Sequence, residues 1–340
     1  MSFSKRMSRI KPSGIRAVQK RIAGKSDMIS FAAGLPDPAL YPLEDLRKAA
    51  DTMLEKEGAT AFAYGLTKGY GPLLDYLTDR MNNREHVECT KENICILSGS
   101  QQGLGLAAMT FLDEGDVVIT ENPSYLGAIN AFRPYGAEFV GVDTDDDGIV
   151  IEDLERALEE NPNTKLIYVI PNFQNPTGKA WTLERRERFM EVVAKYDVAV
   201  VEDNPYGDLR FKGEPLPHLR ALDKKGQVIY LGSFSKILSP GMRVAWTCAS
   251  KEVATAFESL KETNDLQSPE LTQMLTYYYL KMFDLEKHIE EIQVVYKERC
   301  ELMVEMIRKY FPAEIKYTDP EGGMFLWLEL PEGLDSDAIL

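Results

Sequence analysis

The residues best suited to chemistry lie around Lys236, in a segment that follows the apolar run 228–231. Ser233 and Ser235 place two hydroxyl groups beside the lysine, and Arg243 adds a guanidinium seven residues later. Hydroxyl and guanidinium groups suit a phosphate dianion. A lysine partly desolvated beside such a site loses basicity and can act as an amine nucleophile. The segment therefore predicts a reactive amine next to a phosphate site, with a solvated lysine in a serine-rich loop as the alternative.

The composition limits the classes of function. Hydrophobic residues make up 44% of the 340 residues, which is ordinary for a globular chain with a sizeable core. The net charge of −15 argues against nucleic acid as a partner, because nucleic-acid binding needs a clustered basic face. No apolar run approaches the length of a membrane helix, so we expect no membrane partner.

The N-terminal charges and the cysteines bear on the cellular compartment. Residues 1–25 carry eight lysines and arginines and no acidic residue. This pattern favours a basic arm packed on an acidic body, with a transit peptide as the alternative. The four cysteines and three histidines show neither a Cys-x-x-Cys pair nor a metal-binding spacing. We therefore expect reduced thiols, no metal site and a cytoplasmic location.

Strands and helices alternate through most of the chain. Strand-like apolar runs lie at 93–97, 116–120, 138–142, 165–170, 198–201, 228–231 and 243–249, with helical patterns between most of them. Nearly all-apolar strands that alternate with helices predict a mostly parallel sheet covered on both faces. We expect an α/β fold, with a three-layer α/β/α large domain and a smaller α+β domain.

The expected organisation has three parts. Residues 1–43 form an N-terminal arm and part of the small domain, residues 44–279 form the large domain, and residues 280–340 form the C-terminal small domain. Within the last part we expect two strands, 314–317 and 324–330. Gly322-Gly323 would join these strands as a hairpin.

Polar residues follow the predicted strand ends, which is where parallel sheets bind ligands. They suit pyridoxal 5'-phosphate (PLP), whose aldehyde reacts with a lysine amine such as Lys236. Asp203 could hold the proton on the ring nitrogen, Asn175 and Tyr206 could bond the ring hydroxyl, and Tyr125 could face the ring. The phosphate cradle is assigned to a helix start and the lysine loop, that is, to Ser100, Gln101, Ser233, Ser235 and Arg243.

The sequence resembles the class I/II aminotransferases of PLP fold type I. Within them it is similar to the branch with 2-aminoadipate, kynurenine, aromatic and branched-chain aminotransferases and the effector domains of MocR-type regulators. The matching stretches span residues 29–330 and are jointly very specific: FAAGLPDPALYP, YGLTKGYGPL, SGSQQGL, NPSYLGA, PNFQNPTG, VEDNPYGDLR, GSFSKILSPGMRVAW and EGGMFLW.

The resemblance implies transfer of an amino group between an L-amino acid and a 2-oxo acid. Lys236 would be the Schiff-base lysine and the proton shuttle. Tyr64 would reach the phosphate of the neighbouring subunit in a homodimer. Gly34 and Asn175 would lie beside the substrate, and Arg16 would meet a distal acidic group. The alternatives on this fold are a non-catalytic PLP sensor of MocR type and a PLP-dependent β-lyase.

The family pattern also has an arginine for the substrate carboxylate, in a stretch that follows the match to EGGMFLWLELP. Arg308 is the last arginine of this sequence, so we expect an incomplete small domain and weak amino acid binding by the chain as written. Phe62, Tyr64, Tyr70 and Leu266 favour an apolar or aromatic substrate pocket.

Overall fold

The computed structural model describes residues 2–11, 30–31 and 34–336. Within these ranges, no helix is long and apolar enough to cross a membrane. The α-helices are α1 (Lys5–Arg9), α2 (Leu43–Ala61), α3 (Gly71–Asn83), α4 (Ser100–Phe111), α5 (Leu126–Phe132), α6 (Ile151–Glu160), α7 (Leu183–Val193), α8 (Leu219–Leu222), α9 (Lys251–Asn264), α10 (Glu270–Met282) and α11 (Leu285–Tyr310). The strands are β1 (Ile94–Leu97), β2 (Val117–Asn122), β3 (Glu138–Asp143), β4 (Thr164–Val169), β5 (Ala199–Asn204), β6 (Val228–Ser233), β7 (Ala245–Cys248), β8 (Lys316–Tyr317) and β9 (Leu328–Glu329).

A seven-stranded sheet in the order β1-β7-β6-β5-β4-β2-β3 forms the centre of the molecule. Strands β2 to β6 are parallel, and β7 is antiparallel to both of its neighbours. The expected α/β fold with a mostly parallel sheet is confirmed. The direction of β7 follows from the short connection after β6, because a parallel crossover needs a dozen or more residues.

Helices cover both faces of the sheet. Because successive strand side chains point to opposite faces, each strand contributes to two cores. Leu166 and Tyr168 of β4 pack in a cluster with α4, α5 and α9. Ile167 and Val169 pack on the other face with α6 and α7. The result is the three-layer arrangement expected from the apolar strands.

The small antiparallel pair of β8 and β9 is shorter than the strands expected at 314–317 and 324–330. Gly322-Gly323 does not form a tight hairpin turn. Gly322 instead bridges to Arg210, and a Cβ atom on either glycine would overlap the Phe173 side chain. Because these glycines lack a side chain, their segment can pack closely against Phe173, in the loop that follows β4. The division of the chain at residues 43 and 279 stays a prediction.

The N-terminal helix α1 lies on the body of the molecule. The guanidinium of Arg6 sits 5.1 Å from the centre of the Tyr135 ring, and Arg9 forms an ion pair with Glu114. Basic side chains of the arm therefore contact an acidic residue and an aromatic ring of the main fold.

Candidate active site

The topology brings one end of the strands to a single edge of the sheet. Strands β1, β2, β4, β5 and β6 run in the same direction, so their carboxyl ends lie at that edge with the amino end of β7. Predicted site residues at or next to these ends are Ser100, Gln101, Tyr125, Asn175, Asp203, Tyr206, Lys236 and Arg243. The sheet therefore gathers residues that are up to 143 positions apart in the chain.

Lys236 follows β6 and reaches into this edge. Its Nζ donates a hydrogen bond to the backbone oxygen of Gly34 at 3.1 Å and lies 5.7 Å from the centre of the Tyr206 ring. Burial, together with the nearby charge of Arg243, lowers the pKa of Lys236 to about 8. A substantial fraction of this amine is therefore neutral near pH 8, as a nucleophile or base requires.

The start of α4 and the guanidinium of Arg243 form a cradle for an anion. The first-turn N–H groups of a helix have no acceptor within the helix, and its dipole favours negative charge there. Gly99, with φ of +81°, precedes the helix. A Cβ atom on Gly99 would overlap the Arg243 guanidinium, whose Nη2 donates to the Ser98 backbone oxygen at 3.2 Å. Glycine is therefore needed for this close approach.

Two side chains of the predicted cradle also shape its loops. Ser233 Oγ accepts a hydrogen bond from the Ser235 backbone N–H at 3.1 Å, which stabilises the turn that carries Lys236. Gln101 Nε2 donates to the Gly127 backbone oxygen at 3.2 Å. This bond ties α4 to α5 beside the predicted cradle.

Asp203 is buried, and only one of its two carboxylate oxygens accepts a hydrogen bond from the described residues. The Tyr168 hydroxyl donates to Asp203 Oδ2 at 2.9 Å, whereas the buried Oδ1 has no hydrogen-bond partner among the residues that the structure describes. Burial raises the pKa of Asp203 to about 6, although the Tyr168 bond opposes the rise. A buried carboxylate oxygen without a donor is costly. A protonated aromatic nitrogen, such as that of the PLP ring, would supply this donor.

Aromatic and amide side chains lie close to Asp203 at this edge of the sheet. Asn175 Nδ2 donates to the Tyr206 hydroxyl at 3.3 Å. The Tyr125 ring folds over Gly127, where a Cβ atom would overlap it. Burial, followed by the charge of Asp203, raises the pKa of Tyr125, which places its phenol near that carboxylate. These residues offer the hydrogen-bonding groups and the aromatic face that a PLP ring would need.

Two residues at this edge were not identified from the sequence. Tyr168 pairs with Val201 in the parallel ladder, so it shares a face with Asp203 two residues further on. The contact depends on strand register, which the local sequence pattern alone does not give. Phe325 packs against Tyr206, with ring centres 5.5 Å apart, and would overlap a Cβ atom on Gly34. No local pattern signals that contact.

Other predicted residues lie elsewhere. Arg16 falls outside the described residues. Tyr64 is 88% exposed, and the side chains of Phe62 and Leu266 are exposed as well. The Tyr70 hydroxyl donates to Glu57 at 2.9 Å, and its ring packs against Tyr277 of α10. The substrate pocket expected around these aromatic and apolar residues stays a prediction.

We expect Asp203 to make the ligand-free protein less stable as the pH rises from about 4 to 6. Its folded pKa of about 6 exceeds the unfolded value of 3.8, so the folded state binds more protons in this window. The free energy of unfolding should fall by up to about 3 kcal/mol. Above the folded pKa, Asp203 should add no further pH dependence. Urea unfolding of the wild type and Asp203→Asn at pH 4, 5, 6 and 7 checks this. The prediction would be contradicted if the free energies of unfolding of the two proteins differed by the same amount at all four pH values.

Comparison with known proteins agrees with this geometry. The family model for aminotransferase class I and II matches residues 26–338. The aromatic-amino-acid aminotransferase 1 of Thermococcus litoralis is 41% identical over 342 residues, which cover 99% of this chain and 82% of that protein. The 2-aminoadipate transaminase of Thermus thermophilus is 40% identical, with 99% and 84% covered.

A solved structure extends the likeness to three dimensions. The kynurenine aminotransferase of Pyrococcus horikoshii, in complex with PMP, superposes with a TM-score of 0.94 at 40% identity, covering 99% of this chain and 84% of that one. Relatives at this identity support a PLP-dependent aminotransferase over the sensor and β-lyase alternatives. The chain belongs to the class I and II aminotransferase family.

Proposed function

We propose that Lys236 is the catalytic lysine in a PLP-dependent exchange of the amino group of an L-amino acid for the oxygen of a 2-oxo acid. The observation that carries this proposal is the pairing, at one sheet edge, of a buried amine of lowered pKa with a buried carboxylate oxygen that lacks a donor. When bound, PLP supplies a ring that withdraws electrons from the substrate α-carbon.

The surrounding residues would bind and orient that ring. The unpartnered Oδ1 of Asp203 would hold the proton on the ring nitrogen, and Tyr168 would keep the carboxylate in position. Asn175 and Tyr206 would bond the ring oxygen, and Tyr125 would stack on one face. The phosphate would be held by residues that present N–H, hydroxyl or guanidinium groups, namely Ser100, Gln101, Ser233, Ser235 and Arg243.

Lys236 would also move the proton of the reaction. Its Nζ would take the proton from the substrate α-carbon as a general base and deliver it as a general acid. The lowered pKa suits both steps, because a group that titrates near the working pH can accept and release a proton. Gly34, whose backbone oxygen lies 3.1 Å from Nζ, would be next to the substrate.

Aromatic L-amino acids and 2-aminoadipate are the first candidate substrates. Relatives that are 40–41% identical carry the names aromatic-amino-acid aminotransferase and 2-aminoadipate transaminase. The exposed side chains of Phe62, Tyr64 and Leu266 support an apolar or aromatic pocket completed by a second subunit.

Product analysis tests the reaction class. The protein loaded with PLP is incubated with phenylalanine, kynurenine, leucine or 2-aminoadipate, together with 2-oxoglutarate. We expect the matching 2-oxo acid and glutamate in equal amounts. Ammonia with pyruvate from cysteine or a related β-substituted substrate would favour a β-lyase. Binding of PLP without any product from the panel would favour a sensor.

A homodimer in which Tyr64 serves the neighbouring site is supported by an exposed apolar patch. Phe62, Tyr64 and Leu66 are 74%, 88% and 72% exposed on one loop. The backbone N–H of Gly65 in this loop donates to Gln267, so the loop is anchored while its large side chains face outward. Exposed apolar side chains clustered in this way mark interaction sites.

Mixing an inactive variant with one that binds PLP weakly, at a PLP concentration that leaves the second largely empty, tests the shared site. We expect Tyr64→Ala to weaken PLP binding about tenfold, and Lys236→Ala to be inactive. If Tyr64 acts across the interface, a hybrid dimer has one site with both residues intact. Refolding or subunit exchange of an equal mixture should then restore activity, and each hybrid dimer should show most of the activity of one wild-type site. Tyr64→Phe is the control that keeps the ring without the hydroxyl. No activity above that of the separate variants would contradict the shared site.

A further inference from the structure

A fully buried ammonium group lies behind the phosphate cradle. Lys261 of α9 is 0% exposed. Its Nζ contacts Gln102 Oε1 at 3.2 Å, Ser268 Oγ at 3.0 Å and Asp265 Oδ1 at 3.5 Å. The contacts with Gln102 and Ser268 are hydrogen bonds, and the contact with Asp265 is an ion pair. Burying a charge is costly unless it is paired and hydrogen-bonded, so this arrangement points to a specific use of the charge.

The acceptors of Lys261 hold the segment that leads into α4. Gln102 Oε1 also accepts from the backbone N–H of Ser98 at 2.7 Å. The Ser98 hydroxyl donates to Ser268 Oγ at 3.1 Å. Lys261 thus fixes Ser98 through two partners. Gln102 lies in α4, and Ser268 lies in the loop between α9 and α10.

Ser98 is in turn the docking point of Arg243. Its backbone oxygen accepts a hydrogen bond from Arg243 Nη2 at 3.2 Å. Gly99 and Ser100, which follow directly, provide the close approach to the guanidinium and the first turn of α4. The position of the Ser98 peptide therefore decides how the guanidinium and the helix N–H groups meet an anion.

The same network reaches the loop that carries Tyr64. The Ser268 backbone oxygen accepts from Gln273 Nε2 at 2.9 Å, and Gln273 Oε1 accepts from the Tyr70 backbone N–H at 2.8 Å. Gln267, next to Ser268, accepts from the Gly65 backbone N–H. Lys261 therefore sits where the cradle of one subunit joins the loop proposed to serve the other.

We propose that Lys261 is a positioning residue for the PLP phosphate, which acts through Gln102, Ser268 and Ser98 to set the cradle formed by Arg243 and the start of α4. Lys261 does not touch the phosphate itself. This inference rests on the proposed PLP site. It separates the recognition of the phosphate from the recognition of the ring, because within the described part of the chain no hydrogen bond joins Asp203, Asn175 or Tyr206 to the Lys261 network.

The test compares PLP with pyridoxal, which has the same ring and aldehyde but no phosphate. Dissociation constants of both are measured by equilibrium dialysis with cofactor-free wild type and Lys261→Met. Methionine keeps an unbranched, apolar stem and removes the ammonium. We expect PLP binding to weaken about tenfold to a hundredfold, as for lost hydrogen bonds to a charged group, with pyridoxal binding changed less than about threefold.

Two further variants keep the result interpretable. Lys251→Met removes a lysine of the same helix that is 68% exposed and pairs with Glu92 on the surface, so both affinities should match those of the wild type. Lys261→Met with Asp265→Asn also removes the carboxylate left without its partner, and should show the same selective loss if the first variant folds poorly.

The outcomes separate this inference from the proposed function. A wild type that prefers PLP over pyridoxal, and a Lys261→Met variant that loses this preference, support the inference. Equal losses for PLP and pyridoxal, or no loss for either, would overturn it and leave the proposed function standing. A wild type that binds neither compound would overturn both.

Discussion

Lys236→Ala is expected to lower the turnover number of transamination by at least about 10³-fold. A positioned general acid–base alone contributes about 10²–10⁴-fold, and this residue is also proposed to act as the nucleophile that binds PLP. Loss of the amine should abolish covalent trapping of PLP by borohydride at this position. Initial rates at saturating amino acid and 2-oxo acid, with mass spectrometry of the reduced protein, measure both effects.

The control for Lys236→Ala is Lys195→Ala, which removes an exposed lysine paired with Glu155. It should keep the wild-type rate and the trapped cofactor, because an exposed ion pair contributes little. The variant at Lys236 should remain folded, since removal of a desolvated amine leaves no buried charge behind. A Lys236→Ala protein that keeps more than a tenth of the wild-type turnover would contradict the assignment.

Asp203→Asn is expected to lower the turnover number by about 10²–10³-fold, the usual cost of removing one preorganised electrostatic contact to developing charge. An amide has nearly the shape of the carboxylate but cannot stabilise a positive charge on the ring nitrogen. PLP should still bind through its phosphate and through Lys236. The measurement is a comparison of steady-state rates with the amount of bound cofactor in the same samples.

Tyr168→Phe provides the matched control for Asp203. It removes only the hydroxyl that donates to Oδ2 and leaves the charge and the free Oδ1 in place. We expect a loss of a few-fold, because one hydrogen bond is worth about 0.5–1.5 kcal/mol. Turnover of Asp203→Asn within threefold of the wild type would refute the role proposed for the carboxylate.

Much of this site could be predicted from the sequence because its chemistry is carried by short segments. Lys236, Ser235 and Arg243 lie within nine positions, and most of the other residues predicted to bind the cofactor follow a recognisable apolar strand. A parallel sheet places such strand ends together whatever their separation in the chain. Local pattern was therefore sufficient to predict PLP as the cofactor and the sheet edge at which we propose that it binds.

The supporting contacts could not be predicted because they depend on packing between distant segments. Tyr168 meets Asp203 only through the register of β4 and β5. Lys261 reads as an ordinary charged residue of an amphipathic helix, and its contacts with Gln102 and Ser268 require the tertiary fold. Likewise, the contact between the rings of Tyr70 and Tyr277 joins segments that are far apart in the sequence.

A single-turnover experiment tests the central claim most directly. The protein loaded with PLP is mixed with an excess of an amino acid that serves as substrate, in the absence of any 2-oxo acid acceptor. The proposed function predicts release of one equivalent of the matching 2-oxo acid per subunit and no ammonia, with none released by Lys236→Ala. Continued release beyond one equivalent together with ammonia, or equal release by Lys236→Ala, would contradict an aminotransferase that works through this lysine.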